Sequence, residues 1–197
     1  MDPRKQKTQT SIINAFIQLR ARKPLEKITV RELAQLADIN KATFYLHYQD
    51  VYQLSHTLEA QTIQSILADI RHPEYFFQQP AVFIQELHCA ILGQGALLHI
   101  LFPGNYSQIL ADRLLEGLQN YLAQIYPGRK PTLKEDVTLA YMVYGSYFAY
   151  TLHQDHPEET LKVTAEISEL IQSHYQKPPE NTDFCNPTPP AQGTEEH

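Results

Sequence analysis

The stretch from Thr29 to Tyr48 constrains the fold most, because it combines two short helical patterns with a tight turn between them. In the first pattern, Leu33 and Ala34 recur at helical spacing behind Thr29, whose hydroxyl can cap the first turn. Glu32 stands three residues after Thr29, which is the spacing of a capping box. The sequence therefore predicts a helix that begins sharply after Thr29.

Asp38, Ile39 and Asn40 interrupt this pattern and predict the turn. Aspartate tolerates the positive φ at which a helix can end, and Asn40 can cap the next helix. The second helix, from Lys41 to His47, is predicted to be short and polar on one face. A helix, a three-residue turn and a helix together form a DNA-reading motif.

The polar face of the second helix carries side chains suited to nucleic acid. Ala42 and Thr43 are small enough to bring the helix close to base edges, where their methyl groups can meet a thymine methyl. Lys41 can contact phosphate or guanine. Tyr45 and His47 have donors for phosphate oxygens.

The runs ITVRELA at 28–34 and ADINKATFYLHY at 37–48 are similar to the TetR family of bacterial transcriptional regulators. The shared pattern is a Thr-capped helix, a turn and a recognition helix that ends in Tyr-x-His-aromatic, and the match covers roughly the first 55 residues. The resemblance implies phosphate contacts for Thr29, Tyr45 and His47, and base-edge positions for Arg31, Lys41, Ala42 and Thr43. The candidate DNA-binding set is Thr29, Arg31, Asn40, Lys41, Ala42, Thr43, Tyr45, His47 and Tyr48.

The chain departs from the family pattern in two respects. Asp38 stands where the family usually has glycine, and Gln49 and Val51 stand where it often has lysine. Without these two cations we expect fewer phosphate contacts, weaker binding and a flatter salt dependence.

Charge is distributed unevenly along the 197 residues. The net charge is −6, but residues 1–50 hold 9 Lys and Arg against 5 Asp and Glu, whereas residues 51–197 hold 7 against 17. A basic head on an acidic body suits a protein of which one end meets DNA.

The helical patterns predict an all-α fold with three parts. Residues 1–49 form a three-helix head with the helix-turn-helix, residues 50–176 form a helical effector-binding and dimerisation body, and the proline-rich residues 177–197 form a disordered tail. Asp50 is expected to cap a fourth helix over 51–71, and Gly93 and Gly95 predict a kink or break.

A helix that starts at Thr132 with a second capping box is apolar nearly all round from Leu139 to Leu152, so more than one face must be covered. TetR-like proteins pair through their last two long helices, which the resemblance places at 134–153 and 158–175. The expected assembly is a homodimer on a palindromic operator in double-stranded DNA.

The body is rich in aromatic residues, with 12 Tyr and 8 Phe in the chain. The resemblance implies that the body binds an unknown small-molecule effector and swings the fourth helix. The candidate lining is Phe83, Leu87, His88, Ile91, His99, Phe102, Tyr121, Tyr144 and Phe148. The alternative is that these side chains fill an ordinary core and the dimer interface.

The main prediction is a repressor that its effector releases from DNA. No nucleophile-base set, glycine-rich phosphate loop or Cys-x-x-Cys is visible, so we expect neither an enzyme nor a bound cofactor or metal. Two alternatives stay open: a protein-interaction module without effector, and a haem or metal sensor that uses His88 or His99. The N-terminus lacks a signal-peptide pattern and no apolar run approaches a membrane span of about 20 residues, so a cytoplasmic protein without membrane contact is expected.

Overall fold

The computed structural model describes residues 3–103 and 107–175, and every regular element in these two ranges is helical. The expectation of a disordered tail at 177–197 lies outside the described residues. The helices are α1 Pro3–Arg20, α2 Val30–Leu36, α3 Lys41–Tyr45, α4 Val51–Ala68, α5 Tyr75–Gln78, α6 Pro80–Gly93, α7 Gly95–Leu101, α8 Ser107–Ile125, α9 Leu133–Leu152 and α10 Pro157–Tyr175, with one 3-10 turn at Leu25–Lys27.

The head consists of α1, α2 and α3, packed around side chains that the sequence places on the inward face of each helix. Phe16 of α1, Leu33 of α2 and Phe44 of α3 are completely buried. Burying a side chain of this size stabilises the fold by about 1.5–3 kcal/mol. The two short helices therefore depend on the longer α1 for a stable position.

Helix α4 connects the head to the body. It begins where the Asp50 carboxylate accepts a hydrogen bond of 2.7 Å from the amide of Gln53, and it packs against α6, α7 and α8. It ends earlier than the predicted residue 71. The amides of Arg71 and His72 leave the helical pattern and donate instead to the Glu86 carboxylate of α6, at 3.2 and 3.1 Å.

A bend of 70° separates α6 from α7, which agrees with the predicted break. Gly93 and Gly95 have no neighbour within 4 Å of an added Cβ and no positive φ, so neither glycine is required sterically. The side-chain amide of Gln94 donates a hydrogen bond to the Ser65 hydroxyl of α4 at 3.3 Å, and this bond links the bend to α4.

The body is completed by α8, α9 and α10, and α10 lies across α6 and α9. Within the described ranges no single helix is long and apolar enough to cross a membrane, although the bent pair α6 and α7 together meets the length and composition criteria.

Candidate nucleic-acid interface and body cavity

The start of α2 has the capping box that the sequence predicts. The Thr29 hydroxyl oxygen accepts a hydrogen bond from the Glu32 amide at 3.3 Å, and the Glu32 carboxylate accepts from the Thr29 amide at 3.2 Å. The Thr29 hydroxyl also donates to Glu32 at 2.8 Å. The hydroxyl hydrogen of Thr29 is therefore already bonded within the cap. The cap fixes the residue at which α2, the first helix of the helix-turn-helix, begins.

The turn holds Asp38 at a φ of 55°, in the left-handed region. Asn40 then caps α3, because its side-chain oxygen accepts from the Thr43 amide at 2.7 Å and from the Thr43 hydroxyl at 2.8 Å. Both features follow the sequence prediction. Together they set the angle between α2 and α3.

The cap and the turn leave one face of α3 and the adjoining start of α2 open to solvent. Arg31, Lys41, Ala42 and Tyr45 are exposed, and Thr43 is partly buried. The Tyr45 ring meets the buried Phe44 ring edge-on, with centroids 5.6 Å apart. His47, two residues beyond the end of α3, is partly buried.

Tyr48 lies in the head core rather than on this face. It is 5% exposed, and its hydroxyl accepts a hydrogen bond from the Gln9 side chain at 3.3 Å. Val51 is also buried, at the first turn of α4. The valine that replaces the frequent family lysine therefore packs inward, and Tyr48 positions α3 against α1.

An ion pair that sequence reasoning missed lies beside the capping box. Lys23 reaches Glu32 with 2.8 Å between Nζ and Oε1, across nine positions that include a proline. Hydrogen bonds from Lys23 and Thr29 lower the pKa of the Glu32 carboxyl to about 2. This carboxylate stays ionised, and it offsets one cation of the basic head.

Sequence reasoning also missed Leu46, which is 80% exposed directly after α3. Leu46 follows the buried Phe44 by two positions, so it does not fit the helical spacing of the buried side chains. That misfit is the sequence signal by which its exposure could have been predicted.

A partly open cavity of about 550 Å³ lies between α6, α7, α8, α9 and α10. Five of the nine predicted lining residues border it, namely Leu87, His88, Ile91, His99 and Phe102. The bend between α6 and α7 brings the two histidines to the same cavity. A volume of this size is typical of small-molecule sites.

The other four predicted residues lie elsewhere. Phe83 is completely buried in the core, and Tyr121 borders a separate groove between α4 and α8. The Tyr144 hydroxyl donates to the Asp112 carboxylate of α8 at 2.6 Å, and the Tyr144 ring stacks on Phe148. The rotation of α9 about its axis therefore differs from the prediction, and a neighbouring stripe of α9 side chains, which includes Tyr147 and Tyr150, faces the cavity.

That neighbouring stripe supplies much of the polar lining. Its residues, together with threonines of α10, are Ser146, Tyr147, Tyr150, Thr151, Thr160 and Thr164. The α9 residues of this stripe recur at helical spacing, but the other faces of α9 also carry apolar or aromatic side chains. The sequence alone therefore did not fix its rotation.

His88 and Tyr150 form the closest aromatic contact at the cavity wall, with ring centroids 4.4 Å apart and nearly perpendicular planes. Burial lowers the pKa of His88 and raises the pKa of Tyr147. Both groups are consequently uncharged at neutral pH, when each can donate a hydrogen bond to a bound molecule.

Helices α9 and α10 both carry large apolar side chains that are exposed to solvent. On α9 they include Val137, Tyr141 and Leu152, which are 58%, 64% and 76% exposed, and on α10 they include Val163 and Ile167. Exposed apolar side chains in such number are typical of surfaces that contact another protein. We call these five residues the apolar face.

In the described part of the chain no three His, Cys, Asp or Glu residues converge as a metal site. No protein-family model matches the sequence, and no curated protein matches it. The crystal structure of a TetR-family transcriptional regulator from Streptomyces coelicolor does resemble it, with a TM-score of 0.57 and 16% identity over 85% of this chain and 98% of that chain. At this identity the likeness shows the fold, and the predicted all-α, TetR-like architecture is confirmed.

Proposed function

We propose that this protein is a dimeric, DNA-binding transcriptional regulator whose body binds a small-molecule effector. The observation that carries the proposal is the helix-turn-helix itself, with both helices capped and with Arg31, Lys41, Ala42 and Tyr45 exposed to solvent. The TetR-like fold, which the structural match shows over 85% of the chain, supports the same function.

In the proposed complex α3 enters the major groove. Lys41 and Arg31 approach base edges or phosphates, Ala42 and Thr43 meet thymine methyl groups, and Tyr45 donates to phosphate. His47 and the caps formed by Thr29 and Asn40 hold this surface in place. Tyr48 acts from within the core.

The apolar face of α9 and α10 supports a two-fold dimer. Packing it against a second copy buries surface that one chain leaves exposed and provides two heads for the two half-sites of a palindrome. The cavity of about 550 Å³ supports an effector rather than a filled core. We propose that effector binding favours a head spacing that no longer fits the operator, so that the protein acts as a repressor.

The test is a selection of bound fragments from the source genome, with the purified protein, at two salt concentrations. We expect enrichment of a palindrome and weaker binding at the higher salt concentration, because phosphate contacts release counterions. If no sequence is enriched at either salt concentration, the DNA-binding function is wrong and an interaction module takes its place.

The variant Lys41→Ala sharpens this test. We expect it to weaken binding to the enriched site by about 1–3 kcal/mol, because it removes a cation from the recognition helix. Lys130→Ala is the matched control, since Lys130 is an exposed lysine of the loop between α8 and α9. Equal affinity for the wild type and Lys41→Ala would remove Lys41 from the interface.

A further inference from the structure

The described wall of the body cavity has no formal charge. Its twenty lining residues include no Asp, Glu, Lys or Arg. The apolar part comes from every surrounding helix and includes Leu87, Ile91, Leu110, Val143 and Leu161. The body as a whole is acidic, so this absence distinguishes the cavity from the rest of the surface.

The polar groups of the cavity divide into those that are already hydrogen-bonded within the protein and those that are free to bind a ligand. The hydroxyl hydrogens of Thr151 and Thr164 are donated to backbone oxygens of Tyr147 and Leu161, at 2.7 and 3.0 Å. Among the described residues, neither the His88 ring nor the Tyr147 hydroxyl makes a hydrogen bond. A bound molecule can therefore receive a hydrogen bond from each without displacing an internal one.

A charged ligand would lose its hydration in this cavity without meeting a counter-charge. Burying an ion in this way is far more costly than burying a neutral polar group that finds a hydrogen bond. An apolar ring system with one or two polar groups meets no such cost. It also matches the edge-on His88 and Tyr150 rings.

We infer that the effector is an uncharged, mainly apolar molecule with an aromatic ring and one or two hydrogen-bonding groups, and that the cavity discriminates against anions. This inference rests on the proposed function, because it specifies the ligand of the same regulator. His88 and Tyr147 are the residues that bind the polar groups.

Two fluorescent probes with one ring system test the inference. N-phenyl-1-naphthylamine is neutral, and 8-anilinonaphthalene-1-sulfonate carries the same rings with an added sulfonate. At pH 8, where imidazole is neutral, we expect the full-length protein to bind the neutral probe at least about 100-fold more tightly, which corresponds to about 2.7 kcal/mol. Equal binding, tighter binding of the sulfonate or no binding of the neutral probe would overturn the inference.

Variants locate the binding in the cavity. Ser146→Phe, which fills the cavity, should weaken the binding of the neutral probe at least about tenfold. His88→Arg, which adds a positive charge, should shift the binding preference toward the sulfonate probe. His56→Arg, in the groove between α4 and α8, is the matched control and should leave the preference unchanged. If the two cavity variants bind as the wild type does, the probe lies elsewhere and the inference is wrong. Circular dichroism of each variant shows that it is folded.

The fragment selection separates the two proposals. If a palindrome is enriched but the protein does not prefer the neutral probe, the inferred ligand class is wrong and the proposed regulator function stands. Charge preference without enrichment overturns the regulator and leaves a neutral-ligand site in a helical protein.

Discussion

At the scale of single residues, the head depends on a few local contacts at helix ends. The capping box of Thr29 and Glu32 and the Asn40 cap each satisfy amides that a helix start leaves without a partner. Such contacts span three residues of sequence, which is why the sequence predicts them, and the second capping box at Thr132 and Glu135 is present for the same reason.

Asp38 is the residue of the head whose backbone conformation is most restrictive, with its φ of 55°. We expect Asp38→Ala to destabilise the fold by about 1 kcal/mol, since the left-handed region is unfavourable for alanine. Asp38→Gly should be neutral or stabilising, because glycine adopts this region freely. Chemical denaturation measures both, with Gln35→Ala on the exposed side of α2 as the control. Equal stability of the alanine and glycine variants would contradict the argument.

Glu32 should titrate far below an ordinary glutamate. With a folded-state pKa of about 2 against an ordinary 4.5, its stabilising contribution is complete above pH 4.5 and is lost as the pH falls toward 2. Carboxyl-carbon NMR across this range measures the midpoint. Lys23→Met should raise it, because the hydrogen bond from Lys23 is the largest cause of the shift, whereas Lys27→Met should not. A wild-type midpoint near 4.5 would contradict the ion pair.

At the scale of helices, packing decides what local sequence does not. The sequence indicated helix starts and the break near Gly93, but it did not indicate α5 or the rotation of α9. Tyr144 and Tyr147 are both aromatic and differ by less than one turn, yet Tyr147 borders the cavity while Tyr144 bonds to Asp112. That difference depends on where α8 and α10 cross α9, and such contacts join residues far apart in sequence.

The contact between α4 and α8 is close because α8 has Gly117 there. A Cβ at this position would lie 2.7 Å from Ile63 Cγ2 and 3.1 Å from Leu67 Cδ1. The Ile63 methyl is attached at a branched carbon whose rotamer is fixed in a helix. Overpacking in Gly117→Ala should cost about 1–3 kcal/mol, of which the gain in helix propensity offsets about 1 kcal/mol, so we expect a net destabilisation of up to about 2 kcal/mol.

Chemical denaturation tests the Gly117 prediction. Gly93→Ala is the control, because an added Cβ at Gly93 meets no atom within 4 Å and should leave the free energy of unfolding unchanged or slightly higher. A Gly117→Ala protein as stable as the wild type would show that α4 and α8 separate easily.

At the scale of the whole molecule, one chain leaves the apolar face of α9 and α10 uncovered. The sequence predicted this need for cover from the all-round apolar α9. It could not show which side chains remain exposed, because α6 and α8 cover the other faces of α9 and α10 only after folding.

Tyr141→Arg tests the dimer. A buried arginine without a partner should weaken association by about 3 kcal/mol, or over 100-fold. Sedimentation should show the wild type at twice the mass of one chain and the variant as a monomer that no longer prefers palindromes. Leu36→Arg, at an exposed leucine of α2, should remain dimeric. Monomeric wild-type protein at micromolar concentration would contradict the proposed assembly.

In the proposed regulator, the close approach at Gly117 would serve as the point about which α4 tilts. Ile63 lies twelve residues beyond Val51, so the contact with α8 is about 18 Å from the head end of α4. A tilt of about 10° around that point would carry the head roughly 3 Å, close to the 3.4 Å step between successive base pairs. Under the proposed function, a small rearrangement of the body would therefore displace the head by about one base-pair step.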